Sequence, residues 1–292
     1  MELLQRPEIR ERLEFDSPGL SLVTALNRTA FFCCCLFIYA AATPPLQAQL
    51  VVELSPQTVA GFEHYAATVE SSLNQRWQGK KNFLYIEDDP ETKKAVLGGD
   101  LFVKQMTNGP VEVKDGLIHD WLGAVFIPNT AMQRVLNILQ DFNNHKNIYP
   151  EVADSRTIRR NGNEITGYWR LQQKGLVPVI LNVEQDAHYE QVSPGKWKCQ
   201  AYARKITEVD TGLFTRGRKF PLGKGHGYLW RLYSYWSLET FHGGVLAECR
   251  TLSLSRDIPA GLSWAVGPYV QKAPQDSITS TLKHTRVAAT GK

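Results

Sequence analysis

The chain has 292 residues, and 43% of them are hydrophobic, which is the composition of a globular protein with a sizeable core. Its formal net charge is only +4, because 33 basic residues are nearly balanced by 29 acidic ones. This mild excess argues against a nucleic-acid partner, which usually requires a stronger or more clustered positive charge.

An uncharged apolar run extends from Thr29 to Ala42, with Arg28 directly before it and Ala48 shortly after it. A positive flank, about fourteen apolar residues and a small residue at the end are typical of a secretory signal peptide. We therefore predict an N-terminal extension and signal peptide at 1–48, cleaved near Ala48, and an exported protein that is periplasmic or secreted. The alternative is a membrane anchor formed by residues 29–42, although a membrane span usually needs about twenty apolar residues.

Residues 49–115 form the next segment, which we expect to be helical and to pack on the main domain. Ser55 and Pro56 fit the cap and the first turn of a helix, and apolar residues follow them at helical spacing. A short strand is predicted at 83–86, and a second helix is predicted after Pro90.

A strand at 117–127 comes next, and a helix follows it. Thr130 and Gln133 form a capping-box pattern at the start of that helix. One face of the helix is apolar and contains Met132, Val135, Leu136, Leu139 and Phe142. We expect the helix to end in the polar run at 143–147.

The region from 151 to 256 is predicted to be an antiparallel sheet. Apolar and polar residues alternate with a period of two around Trp169, Trp197 and Trp236, whereas 176–183 is a nearly continuous apolar strand. One interpretation of this alternation places Trp230 on the same inward face as Trp236.

The triplet His242-Gly243-Gly244 predicts a hairpin turn that leads into a strand at 245–254. The sequence leaves open which face of this strand points inward. If the face of Glu248 points inward, its buried carboxylate would need Arg250 or Arg231 as a partner.

Cys199 and Cys249 both lie on predicted strands. An exported protein could join them in a disulfide, but two buried thiols are the favoured interpretation. A long C-terminal helix is predicted from Asp257-Ile258-Pro259 toward Thr290, with an interruption at Pro274.

Three stretches of the chain carry a resemblance to a known superfamily. They are VFIPNTAMQRVLNILQDFNNHKNIYPEV, GYLWRLYSYWSLETFHGGVLAEC and LSRDIPAGLSW. The order of elements resembles the START-like superfamily, which also contains polyketide cyclases, aromatases and the birch-pollen-allergen fold. Within it, the three stretches look like a bacterial exported subgroup. The resemblance implies an α+β helix-grip fold over residues 116–290, in which a curved antiparallel sheet wraps around the long C-terminal helix and leaves an apolar cavity.

Large apolar side chains are the candidates for lining such a cavity, with a few polar groups to orient a ligand. The candidate ligand-binding residues are Tyr149, Trp169, Val179, Leu181, Trp197, Trp230, Trp236, Glu248 and Trp264. Tyr149 and Trp264 are expected near an opening. The alternative is that these aromatic rings simply fill the core.

No motif for catalysis, metal binding or cofactor binding occurs in the sequence. His-Glu-x-x-His, Cys-x-x-Cys and Gly-x-Ser-x-Gly are absent. The stretch 217–225 resembles a phosphate-binding loop but is one residue too long and lacks the final Ser or Thr. We therefore expect no catalytic residues, no metal and no cofactor.

The stretch 215–227 is basic and rich in glycine, and it contains Arg216, Arg218, Lys219 and Lys224. The favoured interpretation is a solvated loop. The alternative is peripheral contact with an anionic membrane, to which each basic residue near the surface would contribute about 1 kcal/mol.

These features together predict a protein that binds or carries a lipid or another hydrophobic small molecule outside the cytoplasm. The first alternative is an enzyme of the aromatase/cyclase type that uses the same pocket. The second is an envelope scaffold protein whose core is filled.

Overall fold

The structure is a computed structural model and describes residues 51–173, 178–211, 217–258 and 263–291. Within the last range, the side chains of 263–271 lie outside the description. The predicted signal peptide also lies outside the described residues, as does the start of the strand predicted at 176–183. None of the described helices combines the length and the apolarity that crossing a membrane requires.

The described chain contains five α-helices and eleven strands, which we number in chain order. The helices are α1 (Pro56–Trp77), α2 (Pro90–Leu97), α3 (Met132–Gln140), α4 (His145–Ile148) and α5 (Ser263–Thr290). The strands are β1 (Val52–Glu53), β2 (Phe102–Gln105), β3 (Val111–Val113), β4 (Gly116–Pro128), β5 (Val152–Asn161), β6 (Glu164–Gln173), β7 (Val179–Ser193), β8 (Lys196–Val209), β9 (Lys224–Gly225), β10 (Arg231–Phe241) and β11 (Gly244–Arg256).

Nine strands form one antiparallel sheet in the order β2-β4-β11-β10-β8-β7-β6-β5, with β3 also paired to β4. The short strands β1 and β9 pair with each other. Helix α5 follows the last strand and packs on the sheet. The predicted α+β helix-grip class, an antiparallel sheet with a long C-terminal helix, is confirmed.

Helices cover both faces of the sheet. On the inner face, α3 and α5 contribute Leu136, Leu139 and Leu282 to a cluster with β4, β7, β8, β10 and β11. On the outer face, α1 lies over the sheet with an apolar stripe of Phe62, Ala66, Val69, Leu73 and Trp77. The segment 49–115 also contributes β2 and β3 to the sheet, in addition to its predicted helices.

Polar contacts fix α1 on the outer face. Glu70 accepts hydrogen bonds from the hydroxyls of Tyr202 and Tyr235 at 2.8 and 2.9 Å. Two helical turns earlier in α1, Glu63 accepts a hydrogen bond from the Tyr233 hydroxyl at 2.5 Å. Two carboxylates on one helix face thus match three tyrosines on neighbouring strands, which sets the position of α1 along the sheet.

The β10–β11 hairpin has the predicted tight turn. His242 and Gly243 both have positive φ, 38° and 79°, which is the signature of a type I′ turn. The strands continue in regular register from Phe241↔Gly244 to Arg231↔Leu254.

Two local predictions are wrong. Residues 83–86 do not form a strand but lead into a 3₁₀ turn at Tyr85–Asp88, in which Glu87 accepts the Leu84 N–H at 3.1 Å. Helix α5 runs through Pro274 without the predicted interruption, since the loss of one N–H is outweighed by the packing of the following residues Ile278 and Leu282 on the sheet.

The predicted cap of α3 is also wrong. Ala131 occupies the N-cap position and makes no side-chain hydrogen bond there. The Thr130 hydroxyl instead donates to the Ala289 carbonyl at 3.2 Å, and Arg134 donates to the same carbonyl. The polar group at the start of α3 therefore ties this helix to the end of α5.

Cys199 and Cys249 are free and buried. Both are in register with Trp236 on β10, so a whole strand separates them. Two strand spacings are about 9.6 Å, which is beyond the Cα separation that a disulfide can bridge. The geometry agrees with the favoured interpretation of two thiols, and burial raises the pKa of Cys199 to about 12.

Gly167 on β6 is a point of close packing. A Cβ at this position would lie 1.9 Å from Cδ1 of Phe142, the second residue after the end of α3. We expect Gly167→Ala to lower the free energy of unfolding by about 1–3 kcal/mol, because the added carbon overfills the core. Urea unfolding of Gly167→Ala, Phe142→Leu and the double variant measures this effect. The double variant should recover part of the loss, and strictly additive losses would show that the two positions do not clash.

Candidate ligand-binding site

The inner face is best described as rows of side chains that lie side by side on β4, β11, β10, β8 and β7. The first row consists of His119, Ser253, Leu232, Ala203 and Gln185. The second, displaced by two residues on each strand, consists of Trp121, Thr251, Ser234, Ala201 and Ala187. We call these the two inner rows. Small side chains dominate them, so they fill little of the volume next to the sheet.

Helix α5 touches the sheet beside the two inner rows. Gly123 follows Trp121 on the same face of β4, and a Cβ there would lie 2.5 Å from Cδ1 of Leu282 and 3.3 Å from Cδ1 of Ile278. Only a glycine permits this approach. The contact bounds the space over the inner rows on one side.

Three residues of the inner rows remain partly exposed in the middle of the sheet. They are Leu232 and Ser234 on β10 and Thr251 on β11. Both strands are central, since β10 pairs with β8 and β11, and β11 pairs with β10 and β4. Partial exposure on the covered face of a central strand requires accessible space above it, because a close-packed core would bury these side chains. This space is the candidate site.

Buried polar groups also belong to the two inner rows. His119, Trp121 and Gln185 are 2%, 8% and 4% exposed. Within the part of the chain that the structure describes, His119 Nδ1, Trp121 Nε1 and Gln185 Oε1 have no hydrogen-bond partner. A buried polar group without a partner is costly, so three of them on one face indicate a site that a polar ligand atom can complete.

The remaining polar contact at this end of the sheet is internal. His119 Nε2 lies 3.1 Å from Oγ of Ser255, which is also buried on the inner face. Burial lowers the pKa of His119 to about 4, so the imidazole is neutral at physiological pH.

Glu208 is a buried carboxylate at the inner end of β8. It accepts the backbone N–H groups of His226 and Tyr228 at 2.6 and 2.8 Å. Its charge therefore holds the segment before β10 in place. Gly225 is required beside it, because a Cβ there would lie 2.6 Å from Glu208 Oε2 and its φ is +146°.

The predicted candidates Val179, Leu181 and Trp169 lie together at one end of the inner face. Val179 and Leu181 are buried in a small cluster with Val183, Ala203 and Ile206, and Trp169 packs against it. The Trp169 indole donates to His145 Nδ1 at 2.9 Å. The Trp169 indole N–H is therefore already paired with His145 within the protein.

Three other candidates, Tyr149, Trp197 and Trp236, also belong to the inner side of the sheet. Trp236 is part of the main inner cluster, and Trp197 packs against it. The Tyr149 hydroxyl pairs with Thr285 Oγ1 of α5 at 3.0 Å, and burial raises the pKa of Tyr149 to about 12. The side chain of Trp264 lies outside the described residues.

Trp230 and Glu248 lie on the outer side instead. Trp230 belongs to the cluster that α1 covers, which corrects the interpretation that it shares the face of Trp236. The physical reason is that β10 begins only at Arg231, so the two-residue alternation does not extend back to position 230.

Glu248 pairs with neither Arg231 nor Arg250. Its Oε2 accepts the backbone N–H groups of Tyr85 and Ile86 at 2.8 and 3.2 Å, and burial raises its pKa to about 7. Arg250 pairs with Asp120 instead. The arginine partner considered for an inward-facing Glu248 does not apply, because Glu248 faces outward and the 3₁₀ turn supplies its donors.

Sequence reasoning missed His119, Trp121 and Gln185. Residues 117–127 read as one apolar strand, which hides that His119 and Trp121 share a face of β4. A stricter application of the period of two would have shown the shared face. Nothing in the sequence indicates that the polar atoms lack partners.

The predicted basic loop is described only in part, because Thr215 and Arg216 lie outside the described residues. Arg218 and Lys219 are exposed, and Lys224 pairs with Glu53 at 3.1 Å. Among the described residues, no three His, Cys, Asp or Glu side chains lie close enough to hold a metal ion.

Comparison with known proteins gives matches among solved structures, whereas no family model and no curated protein matches the chain. One match is the STAR-related lipid transfer protein of Xanthomonas axonopodis, with 19% identity and a TM-score of 0.40, covering 64% of this chain and 98% of that one. A START superfamily protein of Mycobacterium smegmatis has 10% identity and a TM-score of 0.41, covering 59% and 97%. The Zhui aromatase/cyclase of a Streptomyces species has 8% identity and a TM-score of 0.38, covering 59% and 94%.

The names of these structures are among those of the START-like superfamily that the sequence resembles. At such low identities and TM-scores, they carry no argument about a ligand or an activity.

Proposed function

We propose that this protein binds or carries a hydrophobic small molecule, such as a lipid, in the space between the inner face of the sheet and α5. One observation carries the proposal. Leu232, Ser234 and Thr251 are partly exposed in the centre of a sheet that helices cover on both faces. Space over a face of small and apolar side chains is what a hydrophobic ligand fills.

The inner rows support binding rather than catalysis. Their unpartnered groups are an indole, an amide and a neutral imidazole, and the low pKa of His119 means that it holds no imidazolium proton to donate as a general acid near neutral pH. The carboxylate with a raised pKa, Glu248, lies on the outer face and accepts two backbone N–H groups. The open space likewise favours a ligand carrier over a scaffold with a filled core.

Two finer parts of the proposal rest on the sequence alone. Export follows from the apolar run before Ala48, and membrane contact follows from the basic residues Arg218 and Lys219, which are exposed. The test compares binding to anionic vesicles by the wild type and by a variant in which four basic residues are replaced by Ser: Arg216, Arg218, Lys219 and Lys224. Equal binding by the two proteins would remove the membrane contact from the proposal.

Filling the space tests the proposal. We expect Ser234→Phe to abolish uptake of the neutral dye N-phenyl-1-naphthylamine, because the ring occupies the volume over the inner rows. Thr240→Phe is the matched control, because Thr240 lies on the same strand but is exposed at its end. Dye fluorescence and native mass spectrometry of the full chain, with organic extraction, provide the measurements. Wild-type protein that takes up no dye and retains no apolar molecule would overturn the proposal.

A further inference from the structure

The hydrogen bonds of Ser255 assign the tautomer of the His119 ring. The hydroxyl of Ser255 donates to the Arg256 carbonyl at 3.1 Å, which uses its only hydrogen. In its contact with His119 Nε2 it must therefore accept, and Nε2 carries the proton. Because the imidazole is neutral, Nδ1 has a free lone pair and acts as a hydrogen-bond acceptor.

Trp121 supplies the complementary group. Its Nε1–H can only donate, and it has no partner among the described residues. Trp121 and His119 are two residues apart on the same face of β4, a separation of about 6.6 Å along the strand. An unpartnered acceptor and an unpartnered donor thus belong to neighbouring side chains on the inner face of β4.

Charge is nearly absent from this face. By strand alternation, Glu208 is the one charged residue among the described inward-facing positions of β4, β6–β8, β10 and β11, and its carboxylate is held by His226 and Tyr228. The arginines Arg231 and Arg250 are directed away from it, and Arg250 pairs with Asp120. No cation at these positions is available to neutralise an anionic ligand.

We infer that the ligand is an uncharged hydrophobic molecule with a hydroxyl group, which donates to His119 Nδ1 and accepts from Trp121 Nε1–H. This inference rests on the proposed function and names its ligand class. A hydroxyl both donates and accepts, so it satisfies both groups. A carboxylate only accepts, so it would face the lone pair of His119 and remain buried without a counter-charge.

A series of ligands with one chain length separates these cases. The probes are decan-1-ol, 1-methoxydecane and decanoate, which displace N-phenyl-1-naphthylamine from the full chain at about pH 8, where the acid is ionised. We expect the alcohol to bind about fivefold to tenfold more tightly than the ether, which cannot donate, and decanoate to bind most weakly.

Two variants assign the effect to the named atoms. Trp121→Phe should weaken the alcohol and the ether alike, by about fivefold to tenfold, because both use the indole N–H. His119→Leu should bring the alcohol to the affinity of the ether. Trp77→Phe is the matched control, since its indole donates to Ser237 on the outer face and its loss should leave all three affinities unchanged.

The outcomes separate this inference from the proposed function. Dye uptake with equal displacement by the three ligands, or the same ligand order in all variants, would overturn the hydroxyl site and leave hydrophobic binding intact. The ligand comparison on wild-type protein decides the question even if Trp121→Phe does not fold. Absence of dye uptake by the wild type would overturn the proposed function itself.

Discussion

Replacing Asp120 by Ala is expected to lower the free energy of unfolding by about 3–5 kcal/mol. Asp120 is fully buried on the outer face of β4 and accepts from Nε and one terminal nitrogen of Arg250, at 2.9 and 2.6 Å. The Tyr65 hydroxyl of α1 donates to the same carboxylate at 2.7 Å. Loss of the carboxylate leaves a largely buried guanidinium without a counter-charge, and this is the main origin of the effect.

Tyr65→Phe is the matched control for this prediction. It removes a single hydrogen bond to Asp120 but keeps the ring and the ion pair, so the expected loss is only about 1 kcal/mol. Urea unfolding followed by circular dichroism gives both values. A loss for Asp120→Ala that is no larger than that of Tyr65→Phe would contradict the assignment of a buried ion pair.

Glu248→Gln is expected to remove a pH dependence of stability. The folded pKa of Glu248 is raised to about 7, chiefly by burial, whereas the unfolded pKa is near the ordinary value of 4.5. Between these values the folded state holds a proton that the unfolded state has released. The contribution of Glu248 to wild-type stability is therefore greatest below about pH 4.5 and falls by about 3 kcal/mol as the pH rises through the folded pKa.

The glutamine variant should be more stable than the wild type at about pH 8 and similar to it at about pH 5. Its amide oxygen can still accept from Tyr85 and Ile86, and it carries no charge at either pH. The titration of other groups contributes equally to both proteins, so it cancels in the difference between their free energies of unfolding. A difference that is the same at both pH values would show that Glu248 does not titrate in this range.

The sequence predicted those parts of the fold whose signals are local. The β10–β11 hairpin follows from alternation and from a turn that His242 and Gly243 encode, and α1 follows from its Ser-Pro start and its apolar stripe. The 3₁₀ turn at Tyr85–Asp88 was mistaken for a strand, because Glu248, which holds it, is distant in sequence.

Burial of both faces of the sheet is what the sequence could not predict. Tyr233 and Tyr235 read as the solvent side of an alternating strand, yet both are buried because Glu63 and Glu70 of α1 receive their hydroxyl groups. The candidate site shows the same difficulty. The sequence predicted that large apolar residues line the site. Whether His119 Nδ1 and Trp121 Nε1 have hydrogen-bond partners depends on which groups lie opposite them in space, and the sequence does not show this.

The position of β4 has a consequence for how the chain folds. Its neighbours are β2, which precedes it closely, and β11, which is synthesised more than a hundred residues later. Helix α1 in turn rests on β10 and β11, so the first helix of the described chain has no complete binding surface until nearly the last strand exists. Contacts of such high sequence separation slow folding. Strands β2 and β3 can pair with β4 as soon as it is synthesised, but we expect α1 and the edge of β4 that pairs with β11 to assemble late, in one step with the C-terminal hairpin.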